Sequence, residues 1–305
     1  MTAADSFEQS AATAKARQKL LLVYFSLDEG STLQQKDVPQ SEIITAGGTA
    51  KRGSVRQVNY YGNNKSYVIT ANLAPIQSQR FIDKLPTVCQ KFDSEILSSD
   101  TSKKLLGDYV LCRLTTDSPR FSEEQFAEMC GLPGIAIIDY RDKDAAYYGE
   151  VVSVFPFLDG EPYTQDEFNT ILTLPAGTLT QRTIIYAVRN HAENPASANS
   201  EISPLVIKEA SGHAEYMART KVQGHQNFDA RFKRIAAEMG TYEVSEVCAE
   251  SWRGEPLLQA AIGCVRAWRT SPGHWRGVSA ENKFYGYDIK HSENGTWYAT
   301  GIFVK

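Results

Sequence analysis

Three residues stand out as able to do chemistry, and all lie in the last third of the chain: His225 in "VQGHQNFDARFKRI", Glu250 in "EVCAESW" and His274 in "WRTSPGHW". His225 follows Gly224, which permits a bend, and precedes a helical stripe of Phe228, Phe232 and Ile235, so its imidazole falls at a helix entrance rather than within the apolar face. Glu250 sits in a small, apolar segment, where an ionised carboxylate needs a partner. His274 comes directly behind Ser271-Pro272-Gly273, a sequence that ends the preceding helix and aims the next side chain through a sharp turn. Two imidazoles and a carboxylate suit a divalent metal such as zinc, or a general base oriented by the carboxylate. Ser271 beside His274 offers a second arrangement, a serine nucleophile with its base, but no third group in the turn is evident to orient the imidazole. His213, in "GHAEYMA", reads as a helix-face residue, and His291, beside "SENG", as part of an exposed hairpin turn.

Composition narrows the partners. The 305 residues carry a net charge of −4, which gives no electrostatic case for nucleic acid or an anionic membrane. The longest apolar run, "LLLVYFSL" at Leu20 to Leu27, is far short of the roughly 20 residues of a membrane helix and reads as a strand. Lys15, Arg17 and Lys19 before it do not make a clear signal peptide, since mostly polar or small residues precede them and no clean cleavage site follows. No transmembrane segment is expected. Cys89, Cys112, Cys130, Cys248 and Cys264 form no CxxC and no metal-type spacing, so packed thiols are expected instead of a disulfide scaffold. No nucleotide-binding motif is read.

The elements that must position these residues fall into two groups. Residues 3 to 18 predict a helix leading into the strand at Leu20, and 28 to 54 an exposed excursion before two strands, "SVRQVNYY" and "KSYVITANL", joined by a "GNN" turn. Helical periodicity from Arg80 to Leu106 gives way to the strand "YVLCRLTTD". A helix over "SEEQFAEMCG" with Ser122 as N-cap, then "LPGIAIIDY" and "EVVSVFPF", complete an α/β domain over residues 1–158. Residues 159–177, with "DGEP" and "LPAGT", read as a linker. Residues 178–305 carry helices over "TLTQRTIIYAVRNHAE" and "PLVIKEASGHAEYMART" and end in a hairpin of "FYGYDIK" and "TWYATGIFVK", an α/β/α arrangement.

The order "HAEYMART…QGHQNFDARFKRI…AESW…AIGCVRAWRTSPGHWRGV…YGYDI…TWYATGIFV" resembles the CAP superfamily (cysteine-rich secretory proteins, antigen 5 and pathogenesis-related proteins) in its bacterial form, across about residues 178–305. The resemblance implies an α/β/α sandwich with a central cleft of two histidines and two glutamates. It puts the first histidine on His225, the first glutamate on Glu250 and the second histidine on His274. The second glutamate, due just after Trp268, has no counterpart, Ser271 occupies that neighbourhood, and Ser251 replaces the usual asparagine. A three-member cleft of His225, Glu250 and His274 fits an open zinc site with fewer carboxylates. The resemblance further implies a secreted or envelope protein, although a cytoplasmic one is compatible with the chain.

The series "LPTVCQKFDSEILSSDTSKKLLGDYVLCRLTTD…GLPGIAIID" resembles a thioredoxin-like fold, with Pro133 at the cis-proline position, Cys89 at the second cysteine and Pro86 where the nucleophilic cysteine would stand. A dithiol cycle needs both thiols. The leading expectation is therefore a CAP-domain protein that binds a small molecule or protein through its His/Glu cleft, ligand-binding residues being His225, Glu250, Ser271 and His274, with a redox-inactive thioredoxin-like domain as scaffold. The enzyme alternative is a metal-assisted hydrolase in which His225 and His274 ligate the metal and Glu250 takes a proton from bound water. A thiol-dependent oxidoreductase acting through Cys89 is the second alternative.

Overall fold

A computed structural model of the chain describes residues 3–27, 56–59, 68–71 and 75–305. These are mixed α/β and form two compact units, residues 1–165 and 166–305, each holding a four-stranded mixed sheet. The predicted excursion over residues 28 to 54 and the "GNN" turn lie outside the described residues.

In the first unit, α1 (Ala3–Arg17) runs into β1 (Leu20–Ser26). β2 (Arg56–Asn59) and β3 (Val68–Ala71) pair antiparallel, as the sequence predicts. α2 (Pro75–Lys91) carries Pro86 in its interior and continues into a π-helical stretch, Phe92–Leu97, before α3 (Asp100–Leu105). β4 (Tyr109–Thr115), β5 (Gly134–Asp139) and β6 (Val151–Pro156) complete the sheet, in the order β4-β1-β5-β6. β1 is parallel to β4 and antiparallel to β5. Its central position explains the unbroken apolar run: both faces are covered, Tyr24 by Phe92 and Phe25 by Phe121 and Phe126. Two expectations change. The segment after β4 forms 3-10 turns, Pro119–Ser122 and Glu124–Met129, in place of a helix capped by Ser122; Glu123, with extended backbone and no side-chain cap, separates them. No peptide bond among the described residues is cis, so Pro133 introduces β5 through a trans bond.

α4 (Gln165–Leu172) crosses the stretch predicted as a linker and buries Phe168, Ile171 and Leu172, and the two units meet in sequence between Gln165 and Asp166. In the second unit α5 (Leu179–Arg189) starts from a complete capping box of Thr178 and Gln181. β7 (Glu201–Ile202) precedes α6 (Pro204–Thr220), whose N-terminus combines the Ser203 side chain with Pro204 in the first turn. α7 (Phe228–Met239), β8 (Val244–Glu250), α8 (Leu257–Thr270), α9 (Pro272–Ser279), β9 (Phe284–His291) and β10 (Trp297–Val304) follow.

The second sheet has the order β7-β9-β10-β8, with β10 antiparallel to both neighbours, so β8 is an edge strand. All eight residues of β10 are buried, which requires cover on both faces. Ile302 and Val304 pack with Val206 and Ala210 of α6 and Ile235 of α7. On the other face Phe303 meets Gly277 of α9, and Tyr287 of β9 meets Trp268 of α8. α6 lies unusually close to the sheet: a Cβ on Gly286 would come within 2.6 Å of the Ile207 backbone. No helix among the described residues is long and apolar enough to cross a membrane.

Candidate functional site

The site is built around β8 and the bend that precedes α7. Strand periodicity puts Glu246, Cys248 and Glu250 on one face of β8, and cross-strand pairing of Cys248 with Thr300 and Glu246 with Ile302 makes it the α6 face. The bend is set by Gly224, whose φ of +149° suits glycine and whose added Cβ would strike the Gln226 side chain at 2.8 Å. Its carbonyl accepts a hydrogen bond from His213 Nε2 of α6 at 2.8 Å, tying helix to bend. Gln223 Nε2 then donates to the Cys248 carbonyl at 3.1 Å, giving a partner to an outward backbone group of the edge strand.

This geometry brings His225 and His274 together, as the sequence predicts, with 3.3 Å between their Nε2 atoms. The turn works differently from the expectation. Ser271 breaks the helix with φ −102° and ψ 111°, and Pro272 begins α9, so His274 sits in the first turn of a new helix. Ser271 accepts the Trp275 amide at 2.8 Å through its own carbonyl. α9 is fixed by Trp275, which donates from Nε1 to Glu193 at 2.9 Å and packs on the ring of His191. Because α9 covers one face of the sheet and the Gly224 bend the other, the two imidazoles meet across the free edge of β8.

The carboxylate that reaches His225 is Glu246, four residues before Glu250 on the same face of the strand. His225 Nδ1 donates to Glu246 Oε1 at 3.0 Å, which leaves Nε2 turned toward His274. Arg231 of α7 donates from Nε to Oε2 and from Nη2 to Oε1, both at 2.8 Å, and Cys248 Sγ lies 3.6 Å from Oε1. Burial pushes the Glu246 carboxyl up, but the His225 hydrogen bond, His213 and Arg231 outweigh it and hold the group below the usual carboxylate range. Burial drives the Cys248 thiol well up, and adjacent Glu246 adds to the rise. His274 is lowered by burial and by the neighbouring imidazole. Glu250 is exposed at the end of β8, with Tyr298 as a hydrogen-bonding neighbour.

His213, expected as a plain helix-face residue, is 2% exposed and belongs to the site. One of its ring nitrogens, a Glu246 oxygen and Cys248 Sγ all lie within 4.8 Å of one another, a buried group that could hold a metal ion. Sequence reasoning missed Glu246 and His213; the available signal was the i, i+2 spacing of Glu246, Cys248 and Glu250 in a strand, which makes Glu246 the inward carboxylate if Glu250 marks the strand end. His291 ends β9 exposed, its ring on Trp297. Cys89 is buried in the last turn of α2, where its Sγ accepts the Leu27 amide at 3.4 Å, far from the helix N-terminus that lowers reactive thiols. A shallow groove along the outer side of α6, lined by Gln181, Lys208, Glu209, Ser211 and Glu215, includes none of these histidines.

Comparison of the chain with protein-family models and with curated proteins finds no match.

Proposed function

We propose that the second unit is a CAP-like α/β/α binding domain whose working surface is the His225/His274 pair at the β8 edge, and that it engages a small molecule or a protein partner through a divalent metal such as zinc. The observation that carries this reading is the opposition of the two Nε2 atoms at 3.3 Å with Glu246 behind Nδ1 of His225. With zinc–nitrogen bonds of about 2.0–2.1 Å, two ligands of a tetrahedral ion stand about 3.3 Å apart. A carboxylate on the second ring nitrogen is the usual way a metal-binding imidazole is oriented and made more basic. Arg231 holds that carboxylate, and the half-exposed ring of His225, with 44% of its side chain accessible, leaves the outer side open to a ligand.

The first unit fits a thioredoxin-like scaffold: a strand, a helical crossover, a parallel strand and then an antiparallel strand introduced by Pro133. With Pro86 inside α2 and Cys89 buried, it supplies a surface and no dithiol chemistry. The extracellular or envelope location implied by the resemblance belongs to the same proposal.

Calorimetric titration with zinc tests the reading. The wild type should bind, His225→Ala and His274→Ala should each lose most of the affinity, and His291→Ala should match the wild type. Absence of uptake at millimolar zinc, or equal binding by all variants, overturns it.

A further inference from the structure

Behind the outer histidines lies a second set of donors, and we infer that His213, Glu246 and Cys248 form an internal, thiolate-containing site for a borderline-soft divalent ion of the zinc class. The evidence is independent of His274. Cys248 Sγ and Glu246 Oε1 are 3.6 Å apart, close to the roughly 3.5 Å edge set by zinc–sulfur and zinc–oxygen bonds of about 2.3 and 2.0 Å in a tetrahedron. His213 completes the donor set. Its Nε2 lies 3.7 Å from Glu246 Oε1 and 2.8 Å from the Gly224 carbonyl, and taking up the ion there exchanges that hydrogen bond for a metal bond while the ring proton passes to Nδ1. That Nδ1 is buried and has no hydrogen-bond partner.

The fourth position adjoins His225, whose Nδ1 is 3.0 Å from Glu246 Oε1 and 3.6 Å from Cys248 Sγ. Arg231, 5% exposed, is the resident cation: its Nε can stay on Glu246 Oε2 while its Nη2 gives up Oε1 to the ion. Binding is balanced by one proton: the Cys248 S–H bond breaks, a metal–sulfur bond forms, and the proton leaves to solvent. A thiolate with one imidazole and one carboxylate selects zinc, cobalt or cadmium over magnesium or calcium, which favour all-oxygen sets.

Cobalt(II) titration of the full chain under reducing conditions, followed by near-ultraviolet absorption, is the test. The wild type should develop a thiolate-to-cobalt charge-transfer band saturating at one equivalent, Cys248→Ser should lose it, and His274→Ala should keep it. Loss of outer-site binding in His274→Ala with the band retained separates this site from the cleft proposed above. A wild type with no band, or a Cys248→Ser protein that keeps it, overturns the inference. Should Cys248→Ser fail to fold, X-ray absorption of the zinc-loaded wild type decides: a sulfur neighbour at about 2.3 Å supports the site, and a first shell without sulfur overturns it.

Discussion

The two units bury different things. The first packs Tyr24, Phe25, Phe92, Phe121, Phe126, Phe155 and Phe157 around its sheet, and its ionisable core is small: Asp139 is buried, and the Arg141 guanidinium clasps it from a half-exposed position. The second keeps His213, Arg231 and Glu246 under one tenth exposed and wires them to each other. A core of rings gains stability from area and shape, and it tolerates small changes because no charge is left behind. A buried ion pair adds little net stability but is costly to break on one side. Among the described residues, such a network occurs in the second unit and not in the first.

All four tryptophans and all five histidines lie in the second unit, so tryptophan fluorescence reports that unit alone and proton uptake by imidazole affects it alone. The largest expected effect is Glu246→Ala, which leaves Arg231 buried and unpaired and removes the acceptor of His225. Fluorescence-detected urea unfolding should show a loss of about 3–5 kcal/mol; a change below about 1 kcal/mol would mean that the network relaxes without cost, and the contrast between the units would fail.

Acid should come next. Burial holds the His213 pKa below its ordinary value, so the unfolded chain binds a proton that the folded unit refuses. The stabilising contribution is therefore complete above about pH 6.5 and declines as pH falls toward the folded value. Glu246, held below the usual range by His225 and Arg231 against the effect of burial, extends the decline below about pH 4.3. The fluorescence transition should shift downward between pH 7 and 5, while hydrogen exchange at β1 and β5 stays level. Equal shifts in both units would remove histidine burial as the cause.

The smallest effect is a shaved ring-side contact in the first unit. Ile137→Val, at a fully buried position of β5, should cost about 0.5–1.5 kcal/mol by hydrogen exchange at β1, with no dependence on pH over the same range. A pH-dependent cost would reveal an ionisable neighbour that the packing does not show.

Most of the elements were legible because period and caps agree: the Ser203-Pro204 start of α6, the Thr178–Gln181 box of α5, and the apolar run of β1 that only a central strand can hide. The segment over 119–129 misled because a polar, acidic start at Ser122-Glu123-Glu124 reads as a helix entrance, whereas Glu123 takes extended backbone there. Within the site, His225 and His274 were legible from their glycine and proline neighbours. Glu246 and His213 were harder to read, because the i, i+2 spacing groups Glu246, Cys248 and Glu250 on one face of the strand without saying which face is buried, and nothing local marks His213 as inward. That choice is made by which face of β8 meets α6, a long-range pairing fixed by β10.

The absent side chain at Gly286 extends this dependence. The Ile207 backbone rests where a methyl group would be, and His213 rides the same helix six residues on, roughly 9 Å along its axis. The helix behaves as a rigid beam seated on β9. A single carbon added at that seat would lift the helix and part His213 from Glu246, so the spacing of these two groups depends on a strand that β10 separates from β8.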